Sequence, residues 1–183
     1  MGKLVVTEFV SLDGVFEDPR WTFEFDRGKD GDAFKLGELE AADAQLLGRV
    51  TYEGFASAWP SRSDQAGFAQ KMNDMPKYVV SSTLVDPSWN NTTVLDGSIA
   101  AGVGALKQRY SGDILVAGSG RLARSLLADG LVDELRLMVF PVLLGWGRRL
   151  FSEGTPKTTL RLAGIRQVGP DGVAILTYAP AGH

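Results

Sequence analysis

The sequence predicts an α/β protein: a single three-layer domain in which a mostly parallel central sheet ends in an antiparallel edge near the C-terminus. The chain of 183 residues has the length of one domain, which we place at residues 1–183. Over the first two thirds, short apolar segments alternate with helical patterns, as in parallel βα units. The last third carries strand patterns with no helix between them, which favours antiparallel pairing.

The first predicted elements are a buried strand and a long loop. Residues Lys3–Leu12 are rich in Val and Phe and end at Asp13-Gly14, a pair typical of a turn. Residues 15–31 carry Pro19 and several aromatic side chains without a clean period, so we expect a loop. A loop of that length in a compact domain is usually functional.

The remaining elements follow from the spacing of apolar residues. Apolar side chains at helical spacing predict helices, and short continuous apolar runs predict buried strands. In chain order we expect a helix over 30–42, a strand over 44–47, a helix starting near residue 51, strands over 77–81 and 92–95, a helix over 98–110, a strand over 114–117, a helix over 122–128, and strands over 134–139, 158–163 and 173–178.

The composition excludes several kinds of site. The chain has no cysteine, which excludes disulfides, thiolate metal sites and cysteine nucleophiles. Its one histidine is the last residue, His183, where no scaffold orients the ring, so we expect neither a Ser-His-Asp triad nor a histidine zinc site. We therefore expect no bound metal. Chemistry is left to carboxylates, hydroxyls, arginines, backbone amides or a bound cofactor.

Charge and hydropathy narrow the partners and the location. The net charge is −3 and no basic block is present, which argues against nucleic-acid binding. No apolar run reaches the roughly 18 residues of a membrane span, and the first residues lack the pattern of a signal peptide. We expect a cytoplasmic protein that acts on a small molecule.

Two junctions between a strand, a glycine and a helix predict a phosphate site. Gly48 follows one apolar strand and precedes Arg49 and Thr51, and the sequence Gly118-Ser119-Gly120 follows another. The unpaired amides of a helix's first turn attract anions, and glycine lets a phosphate approach the main chain. The alternative is that these glycines only form tight turns.

Other phosphate motifs are absent. The sequence has no GxxxxGK[ST], and Gly118-Ser119-Gly120 does not continue into GxGxxG, so a standard Rossmann site is not expected. Three hydroxyls, Ser81-Ser82-Thr83, end the predicted 77–81 strand. They form either part of a ligand site or a simple turn.

The order of these motifs resembles the dihydrofolate reductase superfamily. The resemblance rests on residues 43–53, 77–82 and 114–122. Three further segments, 11–14, 130–135 and 141–151, resemble more closely the reductase domain of the bifunctional riboflavin-biosynthesis deaminase-reductase. The resemblance covers nearly the whole chain and implies a dihydrofolate reductase-like fold that binds NADPH.

The resemblance also assigns residues to the cofactor. It implies that Gly48, Arg49 and Thr51 receive cofactor phosphates, and that Ser81 and Ser82 lie by the adenosine ribose and its 2′-phosphate. The pyrophosphate would then lie on Gly118, Ser119, Gly120 and Arg121. Because a guanidinium beside a phosphate forms a charge-assisted pair, we expect NADPH to bind more tightly than NADH.

Two aspartates are candidate catalytic residues. Counting back from Gly48 along the resemblance places Asp32 near a carboxylate that contacts the substrate ring, and the alternative is an ordinary aspartate in a helix first turn. Asp13 resembles a position beside the nicotinamide and substrate, and the alternative is a turn aspartate bonded to its own backbone.

The resulting hypothesis is an NADPH-dependent reductase that transfers hydride to a planar heterocycle, or to an imine or carbonyl attached to one. The heterocycle would resemble either a pterin or the aminouracil of the riboflavin pathway. The alternative is a nucleotide-binding or sensing module without turnover. A lid over the substrate could be formed by Trp21, Phe23 and Phe25, and the alternative is that they pack in the ordinary way. Trp146 could either stack on the substrate or pack in a subunit interface. The long apolar segment Leu135–Leu144, like the family resemblance, predicts a homodimer.

Overall fold

The computed structural model describes residues 1–64 and 66–181. His183, the one histidine, lies outside the described residues. The elements in chain order are β1 (Leu4–Ser11), a 3-10 helix (Pro19–Glu24), α1 (Gly28–Ala41), β2 (Ala42–Gly48), α2 (Arg49–Ala58), α3 (Phe68–Asp74), β3 (Lys77–Val80), β4 (Thr92–Leu95), α4 (Ile99–Arg109), β5 (Asp113–Ala117), α5 (Gly120–Ala128), β6 (Glu134–Phe140), β7 (Leu160–Val168) and β8 (Val173–Pro180).

The eight strands form one sheet in the order β4-β3-β2-β5-β1-β6-β8-β7. Strands β1 to β6 pair in parallel, while β8 pairs antiparallel with both β6 and β7. The predicted fold class, a mostly parallel sheet with an antiparallel C-terminal edge, is therefore confirmed. The parallel strands bring their carboxyl ends to one edge, where loops and helix N-termini meet.

The core has two faces because β1 is buried between helices on both sides of the sheet. On one face the β1 side chains Leu4 and Val6 pack with Leu106 of α4 and Leu126 of α5. On the other face, core residues come from α1, α2 and α3, namely Leu39, Tyr52 and Met72. The sheet between these two helical groups gives the three predicted layers.

Helix α3 was not predicted, and its N-terminus explains how it forms. It has seven residues, which is too short for a clear helical period. The Asp64 carboxylate accepts hydrogen bonds from the backbone N–H groups of Phe68 (2.9 Å) and Ala69 (2.6 Å). Asp64 lies three residues before the N-cap residue Gly67, outside the position at which an acidic cap is recognised, so no local sequence signal marks this helix.

The predicted lid is largely part of the core. Trp21 is buried in the 3-10 helix, and the rings of Trp21 and Phe25 meet Phe140 at centroid distances of 5.6 and 5.7 Å. Phe23 is 85% exposed. The aromatic side chains at 21 and 25 therefore hold the 15–31 segment on the sheet, and only Phe23 is open to solvent.

Strand β6 is not an open edge, which corrects the basis of the dimer prediction. It lies between β1 and β8, and Phe140 at its end is fully buried. The sheet edges are β4 and β7. Any apolar surface left for a partner must therefore come from another part of the antiparallel region.

Candidate functional site

A cleft of about 550 Å³ lies at the carboxyl ends of the parallel strands. Most of the residues predicted to bind the cofactor line it together: Gly48, Arg49, Thr51, Ser81, Ser82, Ser119, Gly120 and Arg121. The lining also includes Thr83 of the predicted hydroxyl cluster and residues that the sequence did not single out for this role: Phe16, Val50, Val80, Leu95, Asp96, Gly97, Ile99, Leu122, Ser125 and Arg148. The structure thus brings three distant sequence motifs into one site.

The first junction, at Gly48, has regular geometry. Gly48 has φ −80°, and its backbone N–H donates to the Ser119 hydroxyl at 2.9 Å, which ties the two junctions together. Arg49 begins α2 and forms an exposed ion pair with Glu53 at 2.9 Å. An exposed pair of this kind is weak, so the guanidinium can exchange it for an anion in the cleft.

The second junction has unusual backbone conformation. Gly118 and Ser119 both adopt the left-handed region, at φ 66° and 64°. Gly118 lies just behind the cleft, where a Cβ would be 3.4 Å from Thr51 Cγ2. At Gly120, a Cβ would come within 2.5 Å of the Phe16 ring. The turn therefore needs glycine at 118 for conformation and at 120 for the close approach of an aromatic ring.

Two of the helices that begin at the cleft, α2 and α5, present charged or glycine-rich first turns to it. Arg49 to Thr51 of α2 and Gly120 to Leu122 of α5 line the cleft. The backbone amides of these turns have no intrahelical acceptor, and the helix dipoles place partial positive charge at the same ends. With three lining arginines, Arg49, Arg121 and Arg148, the cleft is suited to a polyanionic ligand.

The hydroxyl cluster forms a turn and also faces the cleft. The Ser81 hydroxyl oxygen accepts from the backbone N–H groups of Thr83 (3.1 Å) and Leu84 (3.0 Å). Its O–H remains a donor for a ligand. Ser82 and Thr83 are exposed at the cleft rim, so both the turn and a binding role are compatible with the structure.

One wall of the cleft comes from two loops that are held together, residues 11–17 and 141–149, which we call the strap. Backbone hydrogen bonds join Leu12 N–H to the Val142 carbonyl (2.9 Å) and Phe16 N–H to the Arg148 carbonyl (3.1 Å). Glu17 accepts from the Arg148 guanidinium at 2.7 Å. The strap places Phe16 and Arg148 in the cleft wall.

Asp13 holds the strap in place. Its carboxylate accepts from the Ser11 hydroxyl at 2.6 Å and from the backbone N–H groups of Leu144 (3.1 Å) and Gly145 (2.9 Å). These hydrogen bonds, that from Ser11 first, lower the pKa of Asp13 to about 2. The group is ionised at neutral pH and fully engaged, which gives it a positioning role.

Asp32 is not brought to the cleft lining. It is exposed in the second turn of α1, where it pairs with Arg27 at 2.7 Å, and the acidic residue of the first turn is Asp30. The buried acid of α1 is Glu38, which accepts from the Thr7 hydroxyl at 3.2 Å and pairs with Lys35. Glu38 thus fastens α1 to β1.

Glu8 is a buried acid that sequence reasoning missed. It lies in β1 with only 4% of its surface exposed, and its Oε1 has no hydrogen-bond partner among the described residues. Burial raises the pKa of Glu8 to about 8, against smaller opposing effects of Lys35 and Arg124. At neutral pH this carboxyl is therefore protonated. Alternation along the strand places it on the face of Val6 and Val10.

The tip of the strap is open to solvent. Trp146 lies between Gly145 and Gly147, both with positive φ, and is 59% exposed. It does not line the cleft. An exposed tryptophan on such a turn is available for contact with a substrate or with another surface.

Two kinds of feature are absent from residues 1–64 and 66–181. No helix there has the length and apolar character needed to cross a membrane. In the same residues, no cluster of three or more His, Asp or Glu side chains could hold a metal ion.

Comparison with known families agrees with the geometry. The sequence profile of the RibD C-terminal domain matches residues 2–174. The protein YwjB of Bacillus subtilis strain 168 is 32% identical over 171 residues, which cover 91% of this chain and 92% of that protein.

Solved structures share the fold. A Shewanella sp. PV-4 protein assigned to riboflavin biosynthesis superposes with a TM-score of 0.80 at 21% identity, over 98% of this chain and 99% of that one. A Thermotoga maritima diaminohydroxyphosphoribosylaminopyrimidine deaminase/5-amino-6-(5-phosphoribosylamino)uracil reductase gives 0.67 at 16% identity, over 98% of this chain and 57% of that one. The predicted dihydrofolate reductase-like fold and the resemblance to the riboflavin-biosynthesis reductase domain are both confirmed.

Proposed function

The chain belongs to the RibD C-terminal domain family, and we propose that it is an NADPH-dependent reductase that transfers hydride to a planar heterocycle or to an imine or carbonyl attached to one. The observation that carries the proposal is the cleft itself. Two helix N-termini, three arginines and a hydroxyl turn, separated by up to 100 residues along the chain, line one cavity.

The lining residues fit a dinucleotide phosphate. Arg121 lies in the first turn of α5, where backbone amides and charge act together on a pyrophosphate. Arg49 follows Gly48, which pairs with Val80 just before Ser81, so we assign its guanidinium to the 2′-phosphate that distinguishes NADPH from NADH. Ser81 and Ser82 supply hydroxyl donors for a ribose or its 2′-phosphate. When bound, the nicotinamide supplies the hydride, and the chain contributes binding, orientation and electrostatics.

The acids have different proposed roles. Asp13 acts by positioning the strap, because its carboxylate is ionised and engaged by Ser11, Leu144 and Gly145. Asp32 remains our candidate for contact with substrate, in line with the family resemblance. An Asp32→Asn variant whose kcat and KM both equal those of the native protein would remove it from the mechanism.

The direct test is a panel of NADPH oxidation assays with dihydrofolate and with the phosphoribosylated aminouracil as substrates. Turnover with either supports the proposal and assigns the substrate class. The absence of NADPH binding in calorimetry would overturn it.

A second candidate is a nucleotide-binding module without turnover. It is favoured by the fact that Asp96 is the one carboxyl group in the described lining, which also contains no histidine. NADPH binding with no oxidation across the substrate panel would support this candidate.

We further propose a homodimer formed through an uncharged sheet face. On the face of Tyr178 and Leu176, strand β7 exposes Leu162 (50%) and Ile165 (69%), which pair with these two residues across the ladder. The side chains of this face carry no charge: Leu137, Val139, Leu162, Ile165, Gln167, Ala174, Leu176 and Tyr178. Such a continuous face marks an interface, and a second copy presents the same chemistry.

Sedimentation at micromolar concentration tests the dimer. We expect twice the 19.7 kDa chain mass, and Ile165→Asp should reduce it to one chain mass, with Arg161→Asp on the same strand as the control. A native protein that sediments near 19.7 kDa would contradict the proposal.

A further inference from the structure

The end of the cleft farthest from β1 differs from the rest in chemistry. Val80, Leu95 and Ile99 give it apolar walls, from the ends of β3 and β4 and the start of α4. Asp96 follows β4 directly and is the one acidic residue in the described lining. The rest of the described lining is positive or neutral. The carboxylate at this end therefore suits a ligand group other than a phosphate.

The Asp96 carboxylate is available to a ligand. Asp96 is exposed, and within residues 1–64 and 66–181 the structure assigns its carboxylate no hydrogen bond and no ion pair. The adjacent Gly97 has φ 90° and open space where a Cβ would lie, so the approach to Asp96 is not obstructed from that side. An ionised carboxylate only accepts hydrogen bonds, so its ligand must present N–H or O–H donors.

The strand order sets the distance between this end and the phosphate site. The helices that receive phosphates follow β2 and β5, whereas Asp96 follows β4, two strands beyond β2. With strands about 4.8 Å apart, this offset is roughly 10 Å. A flat apolar group attached through a ribose to the phosphates therefore extends to the walls formed by Val80, Leu95 and Ile99.

We propose that Asp96 determines base specificity by accepting a hydrogen bond from the exocyclic amine of an adenine ring held between these apolar walls. The inference rests on the proposed function and deepens it, since it names the residue that selects the base of the cofactor. Adenine offers two N–H donors at this amine. A hypoxanthine ring carries an oxygen at the same position, and that oxygen would face the carboxylate with no proton between them.

The competing assignment places Asp96 beside the ribose. A carboxylate near the 2′-position would repel a 2′-phosphate and favour NADH. The two assignments differ in what removal of the charge changes. If Asp96 contacts the base, removal alters the choice between bases, and if it contacts the ribose, removal alters the choice between NADPH and NADH.

The experiment compares binding of NADPH and of its hypoxanthine analogue by calorimetry, since both carry the same 2′-phosphate. We expect the native protein to favour NADPH by about tenfold, the size of one hydrogen bond to a charged acceptor. In Asp96→Asn the two affinities should differ by no more than about threefold, because an amide can donate a hydrogen bond to hypoxanthine as well as accept one from adenine. Glu40→Gln, an exposed charge change on α1, is the control and should keep the native ratio.

The other outcomes are distinct. If neither dinucleotide binds the native protein, the proposed function fails. If both bind equally, or if Asp96→Asn keeps the native base ratio, the role of Asp96 is overturned. A change confined to the NADPH-to-NADH ratio assigns Asp96 to the ribose and also overturns the proposal. If Asp96→Asn lowers the melting temperature but leaves the ratio of the two affinities unchanged, Asp96 has only a structural role before α4, and the proposal is overturned.

Discussion

The two strand–glycine–helix junctions look alike in sequence and differ in the structure. At the first, Gly48 has an ordinary φ of −80°, and a Cβ there would be 3.5 Å from its nearest neighbour, Ser119. At the second, Gly118 has φ 66°, and a Cβ at Gly120 would be 2.5 Å from the Phe16 ring. The second junction therefore requires glycine at both positions, and the first tolerates a side chain.

The two junctions therefore contribute to the cleft in different ways. The first supplies side chains, above all the Arg49 guanidinium, from a regular backbone. The second supplies backbone shape, because its left-handed residues turn the chain so that α5 begins against Phe16. Substitutions at the first should act on charge, and substitutions at the second should act on geometry.

The largest effect is expected from Gly120→Ala. Its Cβ would overlap the Phe16 ring, and overpacking of this kind costs about 1–3 kcal/mol of unfolding free energy. Because Phe16 also lines the cleft, the displaced ring should weaken NADPH binding as well. Thermal unfolding with and without NADPH measures both effects, since a ligand that binds only the native state raises the midpoint.

A second substitution shows whether the effect passes through Phe16. In Gly120→Ala combined with Phe16→Ala, the overlap is gone, and the NADPH-induced shift should return toward that of Phe16→Ala alone. An NADPH-induced shift in Gly120→Ala equal to the native one would show that Gly120 is purely structural, and the pyrophosphate role would be withdrawn.

Arg49→Ala tests the charge supplied by the first junction. Loss of a charge-assisted hydrogen bond should weaken NADPH by about 2 kcal/mol, or about thirtyfold, with little change for NADH. Glu53→Gln removes the ion pair that Arg49 makes and keeps the guanidinium, so it should bind NADPH as tightly as the native protein. Equal calorimetric affinities of the native protein for NADPH and NADH would contradict the assignment.

Gly118→Ala tests the left-handed backbone conformation at the second junction separately from side-chain overlap. The left-handed region costs an alanine about 1–2 kcal/mol, and the new Cβ would make an ordinary contact with Thr51, so stability should fall while NADPH affinity stays near native. Gly118→Asn should lose less, because asparagine tolerates this conformation. Chemical denaturation measures both variants, and an alanine variant as stable as the native protein would refute a role for the positive φ.

Gly48→Ala is expected to change least. The backbone at Gly48 suits any residue and the space is sufficient, so unfolding free energy should change by no more than about 0.5 kcal/mol. A loss comparable to that of Gly118→Ala would erase the distinction between the junctions.

The part of the cleft that we propose for the cofactor could be predicted because its residues lie in short motifs at strand ends. Gly48 ends the apolar strand β2 and Arg49 follows it, while the Ser81-Ser82 pair and Gly118 to Arg121 each follow an apolar strand directly. In a parallel sheet these ends meet at one edge, so local sequence patterns are sufficient to place them together.

The rest of the site depends on contacts between distant residues, which no local pattern reports. Phe16 and Arg148 reach the cleft because the strap joins segments more than 130 residues apart. The burial of Trp21 depends on Phe140 in the same way. Glu8 also could not be predicted, because a single acid in an apolar strand carries no local sign that its Oε1 is buried with no hydrogen-bond partner among the described residues.

The position of β1 in the sheet has a consequence for synthesis of the chain. Its two neighbours in the sheet are residues 113–117 of β5 and residues 134–140 of β6. The backbone of β1 therefore has no partner strand until more than 100 further residues have been synthesised. At ribosomal rates of about 5–20 residues per second, this strand waits on the order of ten seconds. Until then the apolar side chains of β1, which are almost wholly buried in the folded protein, stay exposed on the nascent chain, where they favour aggregation or chaperone binding.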